Sequence, residues 1–263
     1  MKFLTYSSYI SSIFFCIFFF SACEEVIILD LEKAERRVII EAKLDASAMT
    51  ATVLLTKSNN FYETTTPQTV SDANITLVSE NGQSYTFTES EEGVYVANDV
   101  FAAPDEVFTI SIESENEVYQ ATATTPYPVA LDSLVSDIIT APFSGEEIIS
   151  VSAYWTDLPE VLNFYRVRTF TNDTLLTGDY NLTNDDFTTD NAMTSFIRNA
   201  FEEGDEARIQ LLSTNRVYYD YFYQISVAGD SDSTTPFNPK GNFDNDALGY
   251  FGIYFVSEEI INL

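Results

Sequence analysis

The chain contains no histidine, and of its 263 residues only two are cysteine and one is tryptophan. Without histidine the usual general base is missing, and with it Ser-His-Asp catalysis and His-ligated zinc or iron. Cationic side chains are also scarce. Twelve Lys and Arg face 41 Asp and Glu, a formal charge of −29. Nucleic acid is therefore excluded as a partner, because binding it requires a basic surface that neutralises phosphate. Glycine-rich phosphate loops are absent, as is sustained helical periodicity. No cofactor and no metal is expected.

The one long apolar run lies at the N-terminus, from about Tyr9 to Phe20. It follows Lys2 and ends in Ser21, Ala22 and Cys23. A charged start, a short apolar core and small residues at the end form a secretory signal pattern, and the run is too short to span a bilayer. Residues 1–22 are read as the signal peptide. Phe20-Ser21-Ala22-Cys23 resembles the bacterial lipobox, which implies lipidation of Cys23 and acylation of the new amino terminus. Several acyl chains hold a protein firmly to a membrane. Glu24 and Glu25 resemble the acidic surface-export signal of Bacteroidota lipoproteins. Cleavage leaves 241 residues and, with Lys2 gone, a formal charge of −30. Cys16 leaves with the signal peptide, so no thiol remains for a disulfide, a nucleophile or a metal site. A large hydrophobic core must hold the fold instead.

Residues 23–36 are read as the lipidated cysteine and a tether. From Arg37 the pattern is alternation broken by turns. "RVIIEAKL" and "TATVLLT" read as strands, followed by a polar loop from Lys57 to Ala73. "NITLVSENGQSYTFTE" reads as a hairpin, with Asn81-Gly82 supplying the positive φ values of a two-residue turn. "GVYVA", "EVFTISIE" and "EVYQATATT" bring the count to about seven strands by Thr125, which suggests a β-sandwich. Pro126 and Pro128 then interrupt, and a domain boundary is placed there. The expected fold is mainly β, with two β-sandwich domains. Residues 37–125 form the first, immunoglobulin- or transthyretin-like. Residues 126–263 form the second, with strands at Ile148–Asp157, Asn163–Phe170, Glu206–Ser213 and Gly249–Ser257. One helix is expected within "STNRVYYDYFYQISVAG", capped by Ser213 or Thr214. Its stripe of Tyr218, Tyr221, Phe222 and Ile225 should pack on a sheet.

Four segments carry a family resemblance: "CEEVIILDL", "GVYVANDVFAAPDEVFTISI", "EEGDEARIQLLSTNRVYYDYFYQI" and above all "PFNPKGNFDNDALGYFGIYFVS". The chain resembles a family of Bacteroidota outer-membrane lipoproteins labelled domain of unknown function 4249. Before Ala-Leu-Gly this chain carries less Gly and Ser than the family pattern. The resemblance implies no catalytic residues. It implies an accessory surface lipoprotein beside a TonB-dependent transporter, capturing or presenting a small-molecule, peptide or glycan ligand. The expectation is a non-enzymatic protein at the outer membrane, exposed at the cell surface. A structural or adhesive surface protein is the alternative, followed by a glycan hydrolase with paired carboxylates.

Several residues are candidate sites. Phe61 and Tyr62 mark a possible binding loop. Tyr250 and Phe251, flanked by Gly249 and Gly252, form either an aromatic platform or core beside close backbone contacts. Asp244–Gly249 and Asn184–Asp186 offer oxygen ligands without the spacing of a calcium loop. Ser133, Thr174 and Ser233, each after Asp, resemble the O-glycosylation triplets of exported Bacteroidota proteins.

Overall fold

Alternating apolar residues bury one side of almost every strand, and the resulting sheets must cover one another. The structure, a computed structural model, describes residues 36–59, 65–140, 145–178, 180–186, 191–198, 201–228 and 237–263. The first strands are β1 (Val38–Asp45), β2 (Thr50–Lys57), β3 (Asn74–Ser79), β4 (Ser84–Thr86), β5 (Thr88–Glu91) and β6 (Val94–Asn98). They are followed by β7 (Val107–Ser114), β8 (Glu117–Thr124), β9 (Leu131–Thr140), β10 (Glu147–Thr156) and β11 (Phe164–Thr171). The last are β12 (Thr174–Leu175), β13 (Leu182–Asn184), β14 (Ala192–Arg198), β15 (Glu206–Thr214) and β16 (Leu248–Asn262), with helix α1 (Arg216–Ala228) before β16.

The fold is mainly β and sandwich-like. A nine-stranded sheet runs β12-β11-β15-β16-β1-β2-β6-β5, with β13 also paired to β11. Two smaller sheets, β4-β3-β7-β8 and β14-β10-β9, complete it. The spine is β16, whose 15 residues pair antiparallel with β15 and parallel with β1. One core gathers Ile40, Leu44, Leu55, Ile75, Phe108 and Ile110 with Phe251 and Ile253 from β16. A second gathers Val151, Trp155, Tyr165, Val167, Ile209 and Leu211. The large sheet thus takes strands from both sides of Thr125-Pro126.

Two local expectations are corrected. In the β3–β4 hairpin Gly82 has φ +83°, but Asn81 is not in the left-handed region. Gly82 N–H donates to Ser79 O, and Ser79 N–H donates to Gln83 O, both at 2.9 Å. This is a three-residue loop closed by a glycine bulge, which needs only one positive φ. The helix is capped by Asn215, whose Oδ1 accepts from Tyr218 N–H at 3.1 Å. Ser213 and Thr214 are still strand, and their hydroxyls bond Val129 N–H and Phe164 O.

Candidate functional site

The C-terminal motif is built for contact between backbones. Gly249 has φ +99°, and a Cβ there would collide with the Ile40 carbonyl of β1; one on Gly241 would collide with Gly249 O. A Cβ on Gly252 would come within 2.7 Å of the Tyr218 ring. Tyr250 and Phe251 are therefore no exposed platform. They are 2% and 1% exposed, with Phe251 in the first core and Tyr250 beneath the helix. Burial drives the Tyr250 hydroxyl pKa well above its ordinary value, so it stays protonated.

The Asn- and Asp-rich loop before it covers an edge of the four-stranded sheet. Asp244 Oδ1 accepts from Gln120 N–H at 2.6 Å, and Asn242 Nδ2 donates to Thr122 O at 2.8 Å. Asn245 Nδ2 donates to Val118 O at 2.5 Å. Three side chains supply what a neighbouring strand would give β8, protecting its edge. Arg37 Nε fastens the same loop by donating to Asp246 O at 2.7 Å. Among the described residues no group of three or more Cys, Asp or Glu is placed to hold a metal ion.

Helix α1 lies on the opposite face of the large sheet. Tyr218, Tyr221 and Phe222 pack on Leu212, Tyr250 and Tyr254, as their spacing predicts. The Arg166 guanidinium stands 4.2 Å from the Phe222 ring centroid and donates to Tyr218 Oη at 2.9 Å. A cation here gains from the ring faces and ties helix to sheet. Nearby, Lys43, Asp45, Ala48, Thr50, Thr52 and Tyr254 line a polar depression of about 330 Å³.

An acid pair lies at the edge of the second core. Asp157 is 5% exposed, accepts from the Tyr165 hydroxyl and hydrogen-bonds Asp185. Asp185 accepts from Asn163 N–H at 3.1 Å. Burial, and then the neighbouring Asp157 carboxyl, raise the Asp185 pKa against the lowering effect of the Asn163 amide. The two carboxyls touch and leave no space for the water or sugar that glycosidase carboxylates flank. Because the fold favours protonated Asp185, the stability it contributes is complete below the unfolded pKa of about 3.9 and is lost as pH rises through the folded value. Asp185→Asn is expected to flatten that part of the stability–pH curve and to be relatively stabilising at neutral pH. The single tryptophan, Trp155, sits 5.4 Å from the Tyr165 ring, so its fluorescence during urea titrations at several pH values provides the readout. A variant curve parallel to that of the parent protein would refute the assignment.

A cleft of about 840 Å³ opens beside the β9–β10 hairpin, a size typical of ligand pockets. Ile138, Ile149, Phe201 and Leu263 give it an apolar lining, and Asp137, Glu147, Glu202 and Glu203 ring it with carboxylates. Among the described residues no Lys or Arg lines it. The sequence alone misses this place: β9 lies just past the Pro126–Pro128 interruption, and its apolar residues do not alternate, so no strand is assigned to it. Of the other candidates, Ser133 on β9 and Thr174 on β12 are exposed. Cys23, Glu24, Glu25, Phe61, Tyr62 and Ser233 lie outside the described residues. Among the described residues no helix is long and apolar enough to cross a membrane.

Together these features define a mainly β, sandwich-like protein with a glycine-pinned central sheet and an acid-rimmed cleft. The family described as domain of unknown function (DUF4249) matches residues 24–260, and the chain belongs to that family. No curated protein matches the chain.

Proposed function

We propose that this is an outer-membrane lipoprotein, anchored through acylated Cys23 and exposed at the cell surface, that serves a TonB-dependent transporter as a non-enzymatic ligand-binding partner. We also propose its domain plan: an immunoglobulin- or transthyretin-like sandwich over 37–125 and a helix-bearing sandwich over 126–263, sharing the central sheet through β16. The observation that carries the binding role is the cleft. Its apolar floor and carboxylate rim suit capture of a ligand. The lipobox-like Phe20–Cys23 and the following Glu24-Glu25 support the location.

Capture of the detergent-solubilised protein should bring down a TonB-dependent barrel identifiable by mass spectrometry; recovery without any barrel would sink the partnership. Cys23→Ala should abolish acyl labelling and release the protein from membranes. Continued membrane retention of that variant would refute the anchor.

A further inference from the structure

The two small sheets treat their outer edges differently. At β8 the Asn242–Asn245 segment satisfies the edge with side-chain amides and a carboxylate. At the other sheet, β9 pairs with β10 and with no other described strand. It is ten residues long, and Val135 and Ile138 are 50% and 64% exposed. A long, unpaired edge bearing exposed aliphatic side chains is a template for another strand, and proteins ordinarily cover or shorten such edges. At its first residue β9 has one contact of this kind, Leu131 N–H donating to Ser257 Oγ at 2.8 Å, but past Leu131 no described side chain from outside the β9–β10 hairpin does the same for the rest of its edge.

The surroundings specify what would pair there. Ile138 lies opposite Ile149, and Ser136 opposite Val151, so this side of β9 continues the apolar floor of the cleft. An incoming strand placed beside β9 would set alternate side chains over that floor. Asp137, Glu147, Glu202 and Glu203 stand around it, with no lining cation among the described residues. An acidic partner would be repelled, and a basic one drawn in. Asp137 Oδ1 accepts from Ile138 N–H at 3.1 Å, so one edge amide is occupied locally and must be released to a peptide carbonyl. An edge offers N–H and C=O groups at strand spacing, the complement of a peptide main chain rather than of a sugar ring.

We propose that β9 takes up an extended basic peptide segment as an added strand, its main chain on the free edge and its cations on the carboxylates of the cleft. This rests on the ligand-binding reading above and names the ligand class of the same cleft.

The test uses the mature lipoprotein in detergent and three synthetic octapeptides. These alternate lysine with valine, alternate glutamate with valine, or repeat the first sequence with alternate amides N-methylated. Calorimetry measures binding, and hydrogen exchange locates it. The lysine peptide should bind and slow amide exchange in β9, with affinity falling steeply as salt rises. The glutamate peptide should bind at least tenfold more weakly, as should the N-methylated one to the parent protein. Asp137→Lys and Ile138→Ser, both at exposed positions, should each lower affinity for the lysine peptide about tenfold or more. No binding of the lysine peptide, or protection only outside β9, would overturn the proposal. Equal binding of the N-methylated peptide would overturn strand addition while leaving capture by the cleft intact. Failure to recover a barrel would strike only the transporter partnership.

Discussion

Gly249→Ala is expected to destabilise the protein by about 4 kcal/mol or more, in the range reserved for gross steric or backbone conflict. Two costs combine. A left-handed φ is unfavourable for alanine by roughly 1–2 kcal/mol, and the new methyl would collide with the Ile40 carbonyl of the adjoining strand. Relieving that collision means parting β1 from β16, the pairing that brings Phe251 and Ile253 into the first core. Gly82→Ala separates the two costs. Gly82 has φ +83° but nothing within 4 Å of an added Cβ, so it should lose only the conformational part, about 1–2 kcal/mol. Urea unfolding followed by circular dichroism measures both. Equal losses would show that backbone contact contributes nothing at Gly249.

Tyr218→Ala should cost about 3–5 kcal/mol, as for other large-to-small core changes. The ring is 2% exposed and lies within 5.6 Å, centroid to centroid, of Phe222, Tyr250 and Tyr254. Its loss also removes the acceptor of the Arg166 hydrogen bond. The informative partner is Gly252→Ala, whose methyl would stand 2.7 Å from that ring. On its own this change should destabilise by about 1–3 kcal/mol, the usual cost of overpacking. In the Tyr218→Ala background it should cost clearly less, because the ring atoms are gone and only the Cβ that alanine keeps, 3.0 Å away, still crowds the new methyl. A double-mutant cycle with additive losses would show that the glycine serves some purpose other than seating the helix.

The regular elements were readable wherever burial alternates. β1, β2, β7 and β8 follow their apolar residues closely, and the helical stripe from Tyr218 was visible as spacing alone. β9 and β14 were missed. Exposed aliphatic residues on β9 break the alternation, and β14 follows a long polar stretch without a turn signal of its own. The purpose of the last glycines was half visible. A glycine-flanked aromatic pair is compatible with either display or burial, and only the approach of β1, distant in sequence, decides between them. The cleft was illegible for a related reason: Phe201, Glu202 and Glu203 meet the β9–β10 hairpin through tertiary placement. The pairing of Asp157 with Asp185 likewise joins two loops; Asp185 lies in the oxygen-rich Asn184–Asp186 stretch, but nothing local pointed to Asp157 as its partner among 41 acidic residues.

The pairing of β1 with β16 also sets a timetable. Contacts such as Arg37 to Asp246 and Ser47 to Val256 join residues 209 positions apart. At about 5–20 residues per second, a nascent chain waits roughly 10–40 s between making the first strand and making its partner. During that interval Ile40 and Leu44 lack the Phe251 and Ile253 side chains that share their core. Non-local pairing of this kind is slow to nucleate. The molecule is therefore slow to commit to its folded form, and a chain made only up to Ala247 lacks the strand that links both halves of its main sheet.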